Sequence, residues 1–188
     1  MHIITGSLKG RIIKRPKHIR PIQDKVRKAL FDILGNIKDF SFLDLYAGSG
    51  AVGLEALSQG AGRAVFVEKD KTCIKAIKDN LEAFGFTGKR ESQTARCQVI
   101  GSDVAVALKG LDKKGEKFEV IFLDPPYYRD IAKKTLKIIS RYDILTRSGS
   151  IICQHFKKDI LPEVTDNLRL VRQSEYGDTI LSFYRREL

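Results

Sequence analysis

Four consecutive apolar residues, Val120-Ile121-Phe122-Leu123, run directly into Asp124-Pro125-Pro126-Tyr127, and few folds accommodate that order. The apolar run fits a buried strand, and two prolines must end it, because proline donates no ladder hydrogen bond and fixes its own φ. The strand therefore stops at a stiff corner that projects a carboxylate, a rigid carbonyl and an aromatic ring. Such a corner can be no more than a turn. It is also a tool for holding a planar amine, and a second motif upstream favours that use.

Phe42-Leu43-Asp44-Leu45-Tyr46-Ala47-Gly48-Ser49-Gly50 is an apolar strand entering a glycine turn, followed by helical composition from Ala51 to Gln59 and a stop at Gly60. Gly48 and Gly50 let the backbone pass close beneath a ligand, to which the following helix offers its free N–H groups. A further strand, Ala64-Val65-Phe66-Val67, ends at Glu68, twenty residues beyond Gly48. A doubly wound nucleotide site places an acid on the ribose hydroxyls at that spacing. Neither G-x-G-x-x-G nor G-x-x-x-x-G-K-[ST] is present, so a nucleoside without a phosphate is the simpler ligand.

The rest of the chain repeats the alternation. Asp24 to Leu34 places Val26, Ala29, Leu30, Ile33 and Leu34 on one helical face, and Lys71 to Phe84 does the same with Ile74, Ile77, Leu81 and Phe84 before the stop signal Gly85. A polar loop over Thr87 to Gln93 leads to a third strand, Ala95 to Ile100, that ends at Gly101-Ser102-Asp103. A short helix from Val104 to Leu111 and a charged turn from Asp112 to Lys117 precede the strand bearing Asp124. A helix from Ile131 to Ser140 and a fifth strand, Ser150 to Gln154, complete five β/α repeats. Leu168 to Gln173 and Thr179 to Tyr184, joined through Tyr176-Gly177-Asp178, form an antiparallel hairpin that finishes the sheet. This is an α/β pattern, doubly wound, with a mostly parallel seven-stranded sheet. Right-handed crossovers put the parallel strand ends on one side, so Asp44, Glu68, Asp103 and Asp124 converge along one crevice. Each of these acids could instead cap the helix or loop that follows it.

With 188 residues and 43% hydrophobic content the chain suits a single domain, 1–188, with a basic arm over 1–23 and a core over 24–188. No apolar stretch approaches the ~20 residues of a membrane span, and the amino terminus lacks the order of a signal peptide, so a soluble cytoplasmic protein is expected. Cys73, Cys97 and Cys153 have no metal-ligand spacing with His2, His18 or His155 and read as small core thiols. His155, near a strand end, reads as a packed, hydrogen-bonded residue. The net charge is +11, and its distribution is uneven: residues 1 to 28 hold nine basic side chains, from Lys9 to Lys28, against Asp24 alone. That asymmetry points to a polyanion, and Ile12-Ile13 and Ile19 among the cations imply an arm that packs on one side and presents charge on the other.

Together these residues resemble a methyltransferase that uses S-adenosylmethionine, and more narrowly the bacterial 16S rRNA guanine-N2 methyltransferase family called RsmD. The resemblance rests on Arg20-Pro21 with Asp24, Val26, Arg27, Ala29 to Phe31 and Leu34, on Asp44 to Gly50, on Gly53 to Ser58 with Gly60-Ala61, and on Asp124-Pro125-Pro126-Tyr127. Ile22, Tyr46 and Lys28 stand where the family usually has Thr, Phe and Glu. The resemblance implies a Rossmann-like S-adenosylmethionine-dependent methyltransferase fold with a basic N-terminal extension. It implies S-adenosylmethionine as cofactor, S-adenosylhomocysteine as product, no metal, and a monomer acting on 16S rRNA or the assembling small subunit without a membrane. Catalysis would fall to Asp124, Pro125, Pro126 and Tyr127. The cofactor would lie on Tyr46, Ala47, Gly48 and Gly50, with Asp44 at its amino end, Glu68 on the ribose and Asp103 on the adenine amine, and the RNA on Lys9, Arg11, Lys14 and Arg20. Two other functions use the same features: an amino methyltransferase acting on adenine or cytosine in DNA or another RNA, and a nucleic-acid-binding module on a nucleotide-binding scaffold. Fold alone would also allow a dehydrogenase, but no dinucleotide loop or hydride-transfer pair is present.

Overall fold

The apolar run that ends at Asp124 becomes β4 (Phe118–Leu123), and it lies in the middle of the sheet. The computed structural model describes residues 1–19, 22–86, 96–127 and 130–187. Arg20 with Pro21, and the loop expected from Thr87 to Gln93, lie outside the described residues. The helices are α1 (Asp24–Leu34), α2 (Ala51–Ser58), α3 (Lys71–Ala83), α4 (Val104–Lys113) and α5 (Ile131–Ile139). The other strands are β1 (Ser41–Leu45), β2 (Arg63–Glu68), β3 (Cys97–Gly101), β5 (Leu145–Phe156), β6 (Val164–Thr165), β7 (Leu168–Tyr176) and β8 (Thr179–Arg186).

These strands pair in the order β3-β2-β1-β4-β5-β8-β7-β6. The first five run parallel, and β8, β7 and β6 are antiparallel additions. All seven expected strands are present. The eighth, β6, is a two-residue pairing on the edge of β7, too short to carry a period-2 pattern. Strand β5 begins at Leu145 rather than Ser150 because the ladder with β4 continues across an irregularity between Phe118 and Val120. The bulge carries Arg147-Ser148-Gly149 within the strand, ahead of the span expected from the apolar run.

Alternation along each strand builds two cores. Phe42, Ala64, Phe66, Val120, Phe122, Ile152, Leu181 and Phe183 face α1, α2 and α3, whereas Leu43, Leu45, Val65, Val67, Ile121, Leu123, Ile151 and Cys153 face α4 and α5. The parallel strands are thus apolar on both sides, as a covered sheet requires.

The N-terminal segment belongs to the first of these cores. His2 and Ile12 form an antiparallel bridge, Ile3 and Ile13 are buried, and Ile12 is exposed. The carboxylate of Glu55 on α2, itself buried, accepts hydrogen bonds from the Ile4 N–H at 2.9 Å and the Thr5 N–H at 2.8 Å. Its second neighbour is Arg27, whose Nε lies 3.6 Å away and whose Nη2 donates to the His2 carbonyl and to Asp24. Arg27 is fully buried, which corrects its count among the cations available to a polyanion. The same contact rotates α1 from its expected register. Its fully buried residues are Val26, Arg27, Leu30 and Phe31, while Ala29, Ile33 and Leu34 are only half-buried, because Arg27 is drawn inward to Glu55.

Removing one member of a buried ion pair leaves its partner charged and desolvated, at a cost of about 3–5 kcal/mol. Glu55→Ala should therefore lower unfolding free energy by about that amount, measured by urea denaturation. A decrease no larger than that of an ordinary surface substitution would contradict this account of the pair.

Candidate active site

Strand order reverses at β1, which is flanked by β2 on one side and β4 on the other, and open α/β sheets bind ligands beyond the strand ends at such a point. Asp44 ends near that point on β1, and Asp124 follows β4 directly. The Asp124 N–H reaches the Leu45 carbonyl at 3.4 Å, so the corner and the glycine loop leave the sheet side by side. Above them is a cleft of about 620 Å³ lined by Asp44, Glu68, Asp103 and Asp124, by Tyr46 to Ser49, and by Pro125, Pro126 and Tyr127.

Three of the four acids already hold backbone. Asp44 is buried, and its Oδ2 accepts from the Gly53 N–H in the first turn of α2 at 2.9 Å. Glu68 spans the loop: Oε2 accepts from the Gly48 N–H at 2.8 Å, and Oε1 from the N–H groups of Lys69 and Asp70. Asp103 caps α4 through the Ala105 N–H at 2.9 Å. These are the capping contacts that strand-end acids commonly make, and they occur here inside the cleft.

The loop between the acids is set from several sides. Tyr46 takes φ 60°, a left-handed conformation that a residue with a side chain adopts at a cost of roughly 1–2 kcal/mol. Its hydroxyl bonds Thr135 of α5 at 2.7 Å, a contact phenylalanine could not make. Asn80 of α3 donates to the Ser49 carbonyl at 3.3 Å and to Lys14, tying loop and arm together. Gly53 is required for another reason: a Cβ there would lie 2.3 Å from the Phe66 ring, so only glycine lets α2 approach β2 this closely.

At the corner, Pro125 is buried, Pro126 exposed and Tyr127 half-buried. The Tyr127 ring lies 5.8 Å from that of Phe156, tilted by 32°, and its hydroxyl is 3.3 Å from Thr179. Gln154 and Thr179 line the cleft too, and sequence reasoning missed both. Gln154 had a signal, since it ends the apolar run Ile151-Ile152-Cys153 as Asp124 ends its own. Thr179 had none.

His155 is buried and bonded through its two ring nitrogens to Ser182 and the Phe156 carbonyl, and burial lowers its pKa. Cys73 and Cys153 are buried as expected, whereas Cys97, on the edge strand β3, is only half-buried. His18, Asp70 and Cys73 bring their side-chain ligand atoms within 4.8 Å of one another at the cleft rim, a juxtaposition invisible in their spacing. Burial, with Glu68 and Asp70 nearby, pushes the Cys73 thiol up to about 12 and keeps it protonated. Of the expected RNA-facing residues, Lys9, Arg11 and Lys14 are exposed, with the Arg11 guanidinium 4.8 Å over the Phe84 ring, and Arg20 lies outside the described residues.

The family model described as conserved hypothetical protein 95 matches residues 1–185. This chain belongs to that family. It is 36% identical to the Bacillus subtilis protein YlbH over 99% of both chains, a relative named as a candidate rRNA methyltransferase. It is 31% identical to ribosomal RNA small subunit methyltransferase D of Escherichia coli, over 100% of this chain and 90% of that one. Among solved structures, the Escherichia coli protein yhhF, described as a candidate methyltransferase, superposes with a TM-score of 0.84 at 31% identity, covering 100% of this chain and 98% of the other. The Streptococcus mutans protein SMU.776, solved with S-adenosylhomocysteine, shares the fold at a TM-score of 0.63 and 16% identity, over 85% of this chain and 48% of its own.

S-adenosylmethionine fits the donor set of this cleft. In a chain of net charge +11, Asp44, Glu68, Asp70, Asp103 and Asp124 line it against Lys69 as the only lysine or arginine among the described lining residues. Such a lining attracts a cationic ligand and disfavours a phosphate. Burial, with Asp124 and Glu68 close by, raises the Asp44 pKa well above the usual carboxylate range, and a cationic amine beside it would favour the ionised form.

Because the folded protein holds the Asp44 proton more tightly than the unfolded chain does, this group's contribution to stability falls as pH rises from the ordinary aspartate range through the raised value. Asp44→Asn removes that titration and keeps an acceptor for Gly53. Relative to the parent, its urea midpoint should rise as pH increases above the ordinary aspartate range near about 4. A pH-independent difference would show that Asp44 titrates normally.

Proposed function

We propose that this chain transfers a methyl group from S-adenosylmethionine to the exocyclic N2 amine of a guanine in small-subunit rRNA. It does so as a monomer in the cytoplasm, on 16S rRNA or the assembling subunit, through a single methyltransferase domain with residues 1–23 as a basic arm. The chain is an rRNA methyltransferase by family, its corner suits a planar exocyclic amine, and the choice of guanine N2 follows from the resemblance to the RsmD family. The observation that carries the assignment is the sharing of one cleft by the glycine loop and Asp124-Pro125-Pro126-Tyr127, at the switch point of the sheet.

The guanine amine is a poor nucleophile, because its lone pair is delocalised into the ring. S-adenosylmethionine supplies the complementary half, a methyl group activated by positive charge on sulfur. The protein therefore has to work on the amine and on alignment. The Asp124 carboxylate and the Pro125 carbonyl accept hydrogen bonds from the amino group and localise its lone pair toward the methyl, while buried Pro125 and the following Pro126 keep the acceptors fixed. Tyr127 offers a face to the base from a ring steadied by Phe156 and Thr179. Once methylated, the nitrogen is acidic, and Asp124 or water takes its proton without a histidine base. The base edge has to enter a cleft, so the nucleotide leaves its stack.

On the cofactor side, Tyr46, Ala47 and Gly48 form the floor, and Gly50, buried behind them against Phe66 and Ile77, turns the loop into α2. Asp44 holds the amino end and Asp103 the adenine amine. Glu68 takes the ribose. A carboxylate has about four acceptor positions, three of which already serve N–H groups, so a ribose hydroxyl takes the fourth or replaces the Gly48 N–H.

Small-subunit rRNA lacking the modification, incubated with the protein and S-adenosylmethionine, should yield N2-methylguanosine at one mapped position. Asp124→Ala should abolish that product while cofactor binding by calorimetry changes little. Another methylated nucleoside, or near-normal turnover without Asp124, would overturn the assignment. On the arm, replacing Arg11, Lys14 and Arg20 together should flatten the salt dependence of RNA binding by about one unit of slope for each phosphate that is no longer neutralised. An unaltered slope would move the RNA surface elsewhere.

A further inference from the structure

Gln154 is 5% exposed, and its buried Oε1 has no hydrogen-bond partner among the described residues. Buried acceptors in native proteins are nearly always satisfied, so an exception in a binding cleft points to something the cleft receives. Its location is specific. Leu123 of β4 is in register with Cys153 of β5, so the next residues along, Asp124 just past the end of β4 and Gln154 within β5, are neighbours on the same face of the sheet. Both line the cleft together with Pro125 and Tyr127.

Resting on the guanine reading above, we propose that Gln154 selects the base. Neighbouring strands lie about 4.8 Å apart, comparable to the span of a purine's Watson–Crick edge. With the N2 amine on Asp124 and Pro125, the N1–H and O6 of guanine fall toward Gln154. A carboxamide offers one acceptor and one donor side by side. Its Oε1 accepts from N1–H and its Nε2 donates to O6, a pair that adenine and 2,6-diaminopurine cannot match because their N1 is an acceptor and their C6 substituent a donor. The acceptor at Asp124 serves any planar amine; Gln154 makes the site a guanine site.

The test uses two substrate RNAs that differ at the methylated position, one carrying guanosine and the other 2,6-diaminopurine riboside, which keeps the N2 amine and inverts the rest of the edge. The unmodified protein should favour guanosine in kcat/KM by about tenfold to a hundredfold, the usual discrimination of a bidentate pair. Gln154→Ala should bring the two substrates toward parity. Gln154→Glu, whose carboxylate accepts but does not donate, meets one donor and one acceptor on either base and should likewise lose the preference. Each ratio is taken on one preparation, so partial misfolding of a variant cancels. Equal use of both RNAs by the unmodified protein, or a guanosine preference that survives in both variants, would overturn the role of Gln154 and leave N2 methylation standing. No N2 methylation of either RNA by the unmodified protein would overturn the guanine reading itself.

Discussion

The buried carboxylate of Glu55 is the contact on which the two ends of the active site depend. It sits on α2, the helix that begins where the glycine loop ends, and it holds the backbone of Ile4 and Thr5 together with the buried guanidinium of Arg27. Ser58, one turn further along α2, bonds Thr5 and Leu8. The basic arm is therefore packed against the same helix whose first turn is fixed by Asp44. A movement of α2 would be felt by the basic arm and the glycine loop together, because both are bonded to it. Asn80 adds a second tie between them, reaching Lys14 on the arm and Ser49 in the loop.

The strand-end acids show how one carboxylate can serve structure and ligand. Asp44, Glu68 and Asp103 each accept backbone N–H groups that would otherwise be unsatisfied at a helix start or a tight loop. These bonds hold the acids in place and set the loop geometry before any ligand contributes energy, which is the sense in which a binding site is preorganised. The concentration of negative charge in the cleft of an otherwise basic protein is the electrostatic counterpart. Cations line the outside, where a polyanion would lie, and carboxylates line the inside, where a sulfonium compound would.

Much of this was legible along the chain because it depends on local pattern. Asp24–Leu34 is helical over the expected span, the parallel strands follow their apolar runs, and Asp44, Glu68, Asp103 and Asp124 share a cleft because parallel strands must end on one side. Legibility failed where a distant partner decided the outcome. Arg27 reads as one more cation in a basic run, and only Glu55, from another helix, turns it inward and rotates α1. The fifth strand reads as Ser150 to Gln154, and only the ladder with β4 extends it back to Leu145. His18 approaches Asp70 and Cys73 through packing of the arm, which no spacing rule anticipates.

The sequence by itself determined the α/β alternation, the positions of the glycine loop and the Pro-Pro corner, and the family, since each is carried by contiguous residues whose backbone preferences act locally. Tertiary structure decided the strand order that sets β1 beside β4, the inward course of Arg27, and the placement of Gln154 and Thr179 in the cleft with Asp124. The physical reason is that pairing and burial are settled between segments far apart in the chain, so a residue's partners, and hence its charge, exposure and chemical use, are fixed only once the sheet has assembled.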